Sequence, residues 1–359
     1  MSVHFPAIAR PTASWGEWSW LHSRGWDVRF VLASSLLVSI PLLLYHGAGL
    51  SVALVNLTVA ALVGGPHMYS TYTLTFLERR FWLQFPLLTA GAVLVPIAVV
   101  WMAVFDLTML LTVFLAWASF HVLQQAAFIS DCYRVRGPAE SSRWPRMIDY
   151  AVIFTSMYPF ALYKLIHDQF LIENRILQVP PFMKVQELVY LGWIAFGTAL
   201  ILFLGKTIME ARDGRLNYTK TALIGITVTL ALFIPTFDQL DVAFQGINAW
   251  HSFQYLAIIW LVNKQRKERG TISNQRVARL SGSDNTLRFY LTLFAITLAS
   301  GLVILGLYYG TSLTLQQCYY MVVLGSLLVH YYFDTFLFTR AGTVVRTQLA
   351  SRTGVWDWP

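Results

Sequence analysis

Charged residues are scarce in this chain, since Asp, Glu, Lys and Arg make up only 12% of its 359 residues. A soluble domain typically carries about 25% of such residues. Hydrophobic residues account for 56% of the chain. Ten-residue segments of alternating polar and apolar residues, which are typical of a membrane β-barrel, are also missing. The composition therefore predicts an all-α polytopic membrane protein.

The sequence has only two cysteines, and it shows no pattern typical of a cleavable leader. The only cysteines, Cys132 and Cys318, are predicted at opposite membrane faces, so they predict no disulfide. Residues 1–26 hold four tryptophans among charged residues, and no apolar run precedes a small-residue cleavage site. We therefore expect an interfacial N-terminal segment rather than a signal peptide.

Ten stretches are long and apolar enough to cross a bilayer core of about 30 Å as helices. The predicted spans are residues 28–46, 50–77, 83–105, 107–130, 148–167, 186–208, 219–236, 239–263, 288–309 and 316–338. No long linker interrupts them, so we expect one integral-membrane domain over residues 1–359.

Lys and Arg concentrate in alternate loops, which accounts for the net charge of +8 without nucleic acid as a partner. By the positive-inside rule, both termini are predicted in the cytoplasm, with residues 340–359 as a tail. The expected location is the bacterial inner membrane.

Four histidines lie inside predicted spans that all run from outside to inside: His67, His121, His251 and His330. The first basic residue at the cytoplasmic end follows them after 12, 13, 13 and 10 residues, respectively. At a rise of about 1.5 Å per residue, their depths agree within about 5 Å. This spacing predicts that four imidazoles converge at one level of the membrane. Polar groups inside a membrane are costly, so they indicate a functional site.

Each of these histidines has polar residues about one helical turn away, where side chains share a face. We expect these residues to orient the imidazoles through hydrogen bonds: Thr71, Gln124, Gln125, Asn248, Gln254 and Tyr255. Asp334, one turn after His330, is either such a partner or a further metal ligand. The alternative is that the histidines only form hydrogen bonds between packed helices.

Imidazole ligands favour iron, copper or zinc over magnesium or calcium. Non-haem iron is the preferred cofactor, because iron with open positions binds dioxygen and oxidises C–H or C=C bonds. A b-type haem on a histidine pair is the alternative, although one haem leaves two of the four histidines unexplained. A dinuclear centre assisted by Asp334, Asp131 or Glu78 also remains open. For Asp131 and Glu78, however, an ordinary solvated charge at the interface is the first expectation.

The four separated histidines on different spans resemble those of the bacterial Brp/Blh membrane carotene dioxygenases. The resemblance covers only the motif regions, and it implies one iron bound through four histidines. The clustered HxxxH and HxxHH boxes of membrane desaturases are missing, because no two histidines of this chain lie within ten residues of each other.

The sequence thus predicts a metal-dependent membrane oxidoreductase acting on a lipophilic substrate such as a fatty acyl chain, isoprenoid or carotenoid. Its expected partners are the lipid bilayer, that substrate and an electron donor at the cytoplasmic face. Aromatic residues near the histidines are candidates for lining an apolar pocket, although most of them are expected to face lipid or to fill the core: Phe120, Phe128, Trp250, Phe253, Tyr331, Tyr332 and Phe333. Two alternatives remain, a haem protein that transfers electrons or reacts with quinones, and a transporter that uses the polar cluster.

Overall fold

The computed structural model describes residues 20–136, 143–172, 175–177 and 179–339. The described chain is almost entirely helical. Its helices are α1 Arg24–Gly47, α2 Val52–Thr73, α3 Arg79–Gln84, α4 Pro86–Phe105, α5 Leu107–Arg136, α6 Trp144–Thr155, α7 Tyr158–Ile166, α8 Gln186–Arg212, α9 Tyr218–Thr236, α10 Leu240–Glu268, α11 Gln275–Leu280, α12 Thr286–Gly310 and α13 Leu315–Thr339. One short antiparallel hairpin, β1 Leu171–Ile172 with β2 Arg175–Ile176, pairs Leu171 with Ile176.

Within the described residues, eight helices are long and apolar enough to cross a membrane: α1, α2, α4, α5, α8, α9, α12 and α13. This confirms an all-α, integral multi-pass membrane protein. The two other predicted spans do form helices, but neither belongs to the eight. Residues 148–167 divide into α6 and α7, which a turn separates just before Pro159. Helix α10 is 29 residues long, but its polar turn lowers its hydropathy.

The predicted count of ten spans is therefore not established. Residues 1–19 and 340–359 lie outside the described residues. The interfacial N-terminal segment, the C-terminal tail and the cytoplasmic location of both ends remain predictions.

Helix α10 lies at the centre of the protein and contacts α1, α2, α5 and the end of α9. Helix α13 packs against α2, α4, α5 and α12. The helices that carry the four membrane histidines therefore form a closed ring, in which α2 and α5 each contact both α10 and α13. This ring brings side chains from four distant parts of the chain to one point.

Candidate metal centre

The four histidines meet inside this ring. His67, His121, His251 and His330 are all buried, and one ring nitrogen of each lies within 4.8 Å of the corresponding nitrogen of every other. The ring centroids of His67 lie 4.9 Å from His251 and 4.3 Å from His330. Those of His121 lie 4.8 Å from His251 and 5.0 Å from His330. The imidazoles thus form a closed circle, as matched depth on four helices predicts.

The local sequence of α2 explains how His67 reaches this circle. Pro66 has no N–H, so the helical bond to the carbonyl oxygen of Leu62 is missing. The Tyr290 hydroxyl donates to that oxygen instead, at 2.8 Å. Gly65 has no Cβ, and any Cβ there would overlap the Thr297 side chain of α12. The Gly-Gly-Pro sequence therefore lets α12 pack closely against the helical turn that carries His67.

His67 is fixed in one orientation. Its Nδ1 lies 3.0 Å from the carbonyl oxygen of Gly64 and 3.1 Å from the Ser252 hydroxyl. A carbonyl oxygen only accepts hydrogen bonds, so we assign the ring hydrogen to Nδ1. In the neutral ring, this leaves the lone pair of Nε2 available for a ligand.

A directed chain of hydrogen bonds holds His330. Its Nδ1 lies 2.5 Å from the Thr71 hydroxyl, which lies 2.6 Å from the Tyr255 hydroxyl. Tyr255 in turn donates to Oδ1 of Asp334 at 2.6 Å. Because the chain ends on a carboxylate, we assign each hydrogen toward Asp334, with Nδ1 of His330 as the first donor. The lone pair of His330 Nε2 is then free, as in His67.

Six of the eight ring nitrogens in the cluster have no hydrogen-bond partner within the described part of the chain. They are Nε2 of His67, both nitrogens of His121, both nitrogens of His251, and Nε2 of His330. Buried polar atoms are nearly always paired, and each one left unpaired costs about 1–3 kcal/mol. A metal ion bound by the imidazoles would satisfy one of these nitrogens on each histidine.

Asp334 lies beside the imidazoles but is not part of the close group of four. Its Oδ2 lies 3.6 Å from Nδ1 of His330 and 3.9 Å from Nε2 of His121. Its Oδ1 accepts from Tyr255. Neither distance to an imidazole nitrogen is that of a hydrogen bond, but the buried carboxylate lies close enough to offset positive charge at the centre.

The remaining polar residues predicted to orient the imidazoles contact other atoms. Gln125 donates to the backbone oxygen of His251 at 3.1 Å, and Gln254 donates to that of Val31 at 2.7 Å. Gln124 accepts from Thr335 at 3.5 Å. These amides join the helices around the centre, and none of these bonds reaches an imidazole ring.

Asn248 contacts His67 only indirectly, through Ser252, which was not among the predicted partners. Ser252 donates to Oδ1 of Asn248 at 3.2 Å and lies against Nδ1 of His67. The available signal was the four-residue spacing from Asn248 to Ser252, which places them on one face of α10.

A second missed contact is made by Tyr331. Its ring stacks on His121 with centroids 4.2 Å apart and planes at 27°. Both ring nitrogens of His121 lack hydrogen bonds within the described residues, so contacts with neighbouring rings restrain the imidazole, including Tyr331 and the stacked ring of Phe338 at 6.0 Å.

The two acidic residues expected at the interface are not solvated. Glu78 is 3% exposed and pairs with the buried Arg266 at 3.1 Å. Asp131 is 1% exposed and pairs with Arg146 at 2.6 Å and with Arg134 at 3.2 Å. The expectation of ordinary solvated charges was therefore wrong, because Arg266 and Arg146, which come from other helices, pair with these two groups. These ion pairs leave neither carboxylate oriented toward the imidazoles, so they favour a centre without them.

Most of the aromatic residues considered as pocket lining fill the core or face outward, as expected. The buried members of that set are Phe128, Trp250, Tyr331 and Phe333. Phe120 is 41% exposed and stacks on Phe154, and Tyr332 packs partly buried against α4. Phe253 alone of the set lines a cavity described below.

No known protein family, curated protein or solved structure matches this chain. The fold and site nevertheless define a class: a multi-pass helical membrane protein with four buried histidines that are positioned to hold a metal ion.

Proposed function

We propose that this protein is a membrane metalloenzyme that holds one non-haem iron ion through His67, His121, His251 and His330. The observation that supports it best is the set of six buried imidazole nitrogens without hydrogen-bond partners in the described chain. So many unpaired nitrogens around one point would be costly if the histidines served only to pack helices.

The spacing of the nitrogens favours a single ion. An imidazole nitrogen binds a metal at about 2.1 Å, so two such ligands on opposite sides of one ion are about 4.2 Å apart. The coordinating atoms here all lie within 4.8 Å of one another, which is close to this separation, so small shifts of the rings would bring them around one ion. Ions of a dinuclear site lie about 3.5–4 Å apart and would need ligands spread more widely, including carboxylates.

The same geometry favours a metal ion bound directly by the imidazoles over the iron of a haem. A haem iron takes its axial ligands from above and below the macrocycle, which occupies the whole equatorial plane. Here four imidazoles surround the point, with neighbouring centroids only 4.3–5.0 Å apart. At least two of them would occupy the space that a macrocycle requires.

Iron held by four imidazoles supplies open coordination positions for dioxygen and thereby allows oxidation of C–H or C=C bonds. The chain contributes a dry site, because all four rings are at most 2% exposed. A substrate for a site at this depth is lipophilic and comes from the bilayer. The resemblance to the Brp/Blh carotene dioxygenases agrees with iron as the metal and with a lipophilic substrate.

Elemental analysis and a visible spectrum of the purified full-length protein test this proposal. We expect about one iron per chain, loss of that iron in His251→Ala and no Soret band. His46→Ala is the matched control, because His46 is exposed and lies outside the cluster. Iron that persists in His251→Ala, or protein that is active without metal, would contradict the proposal. A Soret band would indicate haem, and metal-independent flux in proteoliposomes would indicate a transporter.

A further inference from the structure

A cavity of 640 Å³ lies between α1, α2, α10 and α12. Its volume falls within the range of about 300–1,000 Å³ that is typical of small-molecule sites. The wall is formed almost wholly by aliphatic and aromatic side chains. Part of it is the aromatic row Trp26, Phe30 and Phe253, whose neighbouring rings lie 5.5 Å and 5.4 Å apart.

This cavity is separate from the candidate metal centre. Ala249 and Phe253 line it, and they lie two residues before and after His251 on α10. Two residues correspond to about 200° around a helix, so the cavity faces the side of α10 opposite His251. A ligand in the cavity and a metal at the histidines would therefore contact the same helix from opposite sides.

The length of the cavity matches an acyl chain. Along α10 it extends from Ala249 to Trp260, which is about 16 Å at 1.5 Å per residue. One leaflet of a bilayer core, which is the depth of one lipid chain, is about 15 Å. Ile40 and Leu62 line the wall and are 44% and 48% exposed, so a chain can enter sideways from the bilayer.

One cation lies at the end of the cavity predicted to face the cytoplasm. Nζ of Lys264 is 5.5 Å from the ring centroid of Trp260, which lines the cavity. The nearest acid to Lys264 is Glu268, at 4.0 Å and 61% exposed, so this ion pair is weak. Basic groups at the membrane surface attract anionic headgroups.

We propose that this cavity binds a long-chain fatty acid, with the acyl chain along α10 and the carboxylate at Lys264. The volume holds one chain, the wall suits hydrocarbon, and the positive charge of Lys264 suits the negative charge of the carboxylate. The proposal does not depend on the metal at the histidines.

Photoaffinity labelling of the purified full-length protein with a diazirine derivative of palmitic acid tests the proposal. We expect labelled peptides from α1 and α10, and we expect oleate to compete for them better than methyl oleate does. Ala257→Trp, which fills the cavity, should abolish this labelling. Ala116→Trp is the control, because Ala116 is exposed on α5 away from the cavity. Lys264→Gln should weaken competition by oleate about fivefold, which is the loss of about 1 kcal/mol for one basic group.

Three results would overturn the proposal. The first is equal labelling of wild type and Ala257→Trp, and the second is equal competition by oleate and methyl oleate. The third is labelling spread over lipid-facing helices such as α8. If Ala257→Trp does not fold, the competition by oleate and methyl oleate for labelling of the wild-type protein and of Lys264→Gln still tests the proposal.

Discussion

Replacing Thr71 by valine removes one hydroxyl from the candidate metal centre and keeps the size of the side chain. That hydroxyl lies 2.5 Å from Nδ1 of His330 and 2.6 Å from the Tyr255 hydroxyl. In Thr71→Val, Tyr255 keeps its bond to Asp334 at 2.6 Å. His330 Nδ1 keeps only Oδ2 of Asp334 at 3.6 Å, which is beyond a good hydrogen bond. The substitution therefore releases one imidazole and removes the bond between Thr71 and Tyr255, while the bond from Tyr255 to Asp334 remains.

Two independent magnitudes agree on the size of the effect. A buried N–H left without a partner costs about 1–3 kcal/mol. Loss of a group that orients a metal-bound histidine typically lowers metal affinity by about 10–100-fold. That range corresponds to about 1.4–2.8 kcal/mol, because each factor of ten is about 1.4 kcal/mol. We expect Thr71→Val to weaken metal binding by this amount, and Thr71→Ser to restore most of it.

The assay is competition between the purified protein and a chromophoric chelator for ferrous iron. Thr75→Val is a matched control one turn further along the chain. Thr75 is also fully buried, but its hydroxyl donates only to the backbone oxygen of Thr71, at 3.1 Å. Wild-type affinity in Thr71→Val would refute the assigned hydrogen-bond chain. An equal loss in Thr75→Val would show that the effect is general destabilisation.

Three further predictions concern the fold. Gly65→Ala should lower the free energy of unfolding by about 1–3 kcal/mol in thermal denaturation because its Cβ overlaps α12, whereas Gly301→Ala, which faces open space, should change it little. Glu78→Gln leaves Arg266 buried and unpaired and should cost about 3–5 kcal/mol, whereas Asp168→Asn at an exposed pair should cost under about 1 kcal/mol. A fluorescent protein fused to the C-terminus should fluoresce and an alkaline phosphatase should be inactive there; the reverse result would place this end outside the cytoplasm.

The convergence of the four histidines was predictable, because it depends only on quantities that sequence carries. Helical rise is constant, and basic residues indicate the cytoplasmic end of each span. His67 and His251 are far apart in the chain, yet their distances to that end agree, and their rings lie 4.9 Å apart. No alignment or motif was needed for this inference.

The partners of the imidazoles were less predictable, because they depend on how each helix is rotated about its axis. Thr71 and Asp334 face the rings, whereas Gln124 and Gln254 bond atoms of other helices. All four lie three or four residues from a histidine, so spacing alone does not distinguish them. The ion pair of Glu78 was missed for a related reason, because its partner Arg266 lies in a distant span.

Helix α10 shows why the polar centre and the apolar cavity belong to the same architecture. A span that carries Asn248, His251 and Gln254 is too polar to face lipid, since each such group is costly in hydrocarbon. The apolar side chains on the opposite face, such as Phe253 and Ala257, suit lipid, but they do not remove the cost of exposing the polar face. Other helices must therefore cover the polar face. The helices α2, α5 and α13 enclose His251, and α1 covers Gln254, so that both side chains are only 2% exposed. The same enclosure concentrates four imidazoles at one point, so the packing that makes α10 tolerable in the membrane also builds the candidate metal centre.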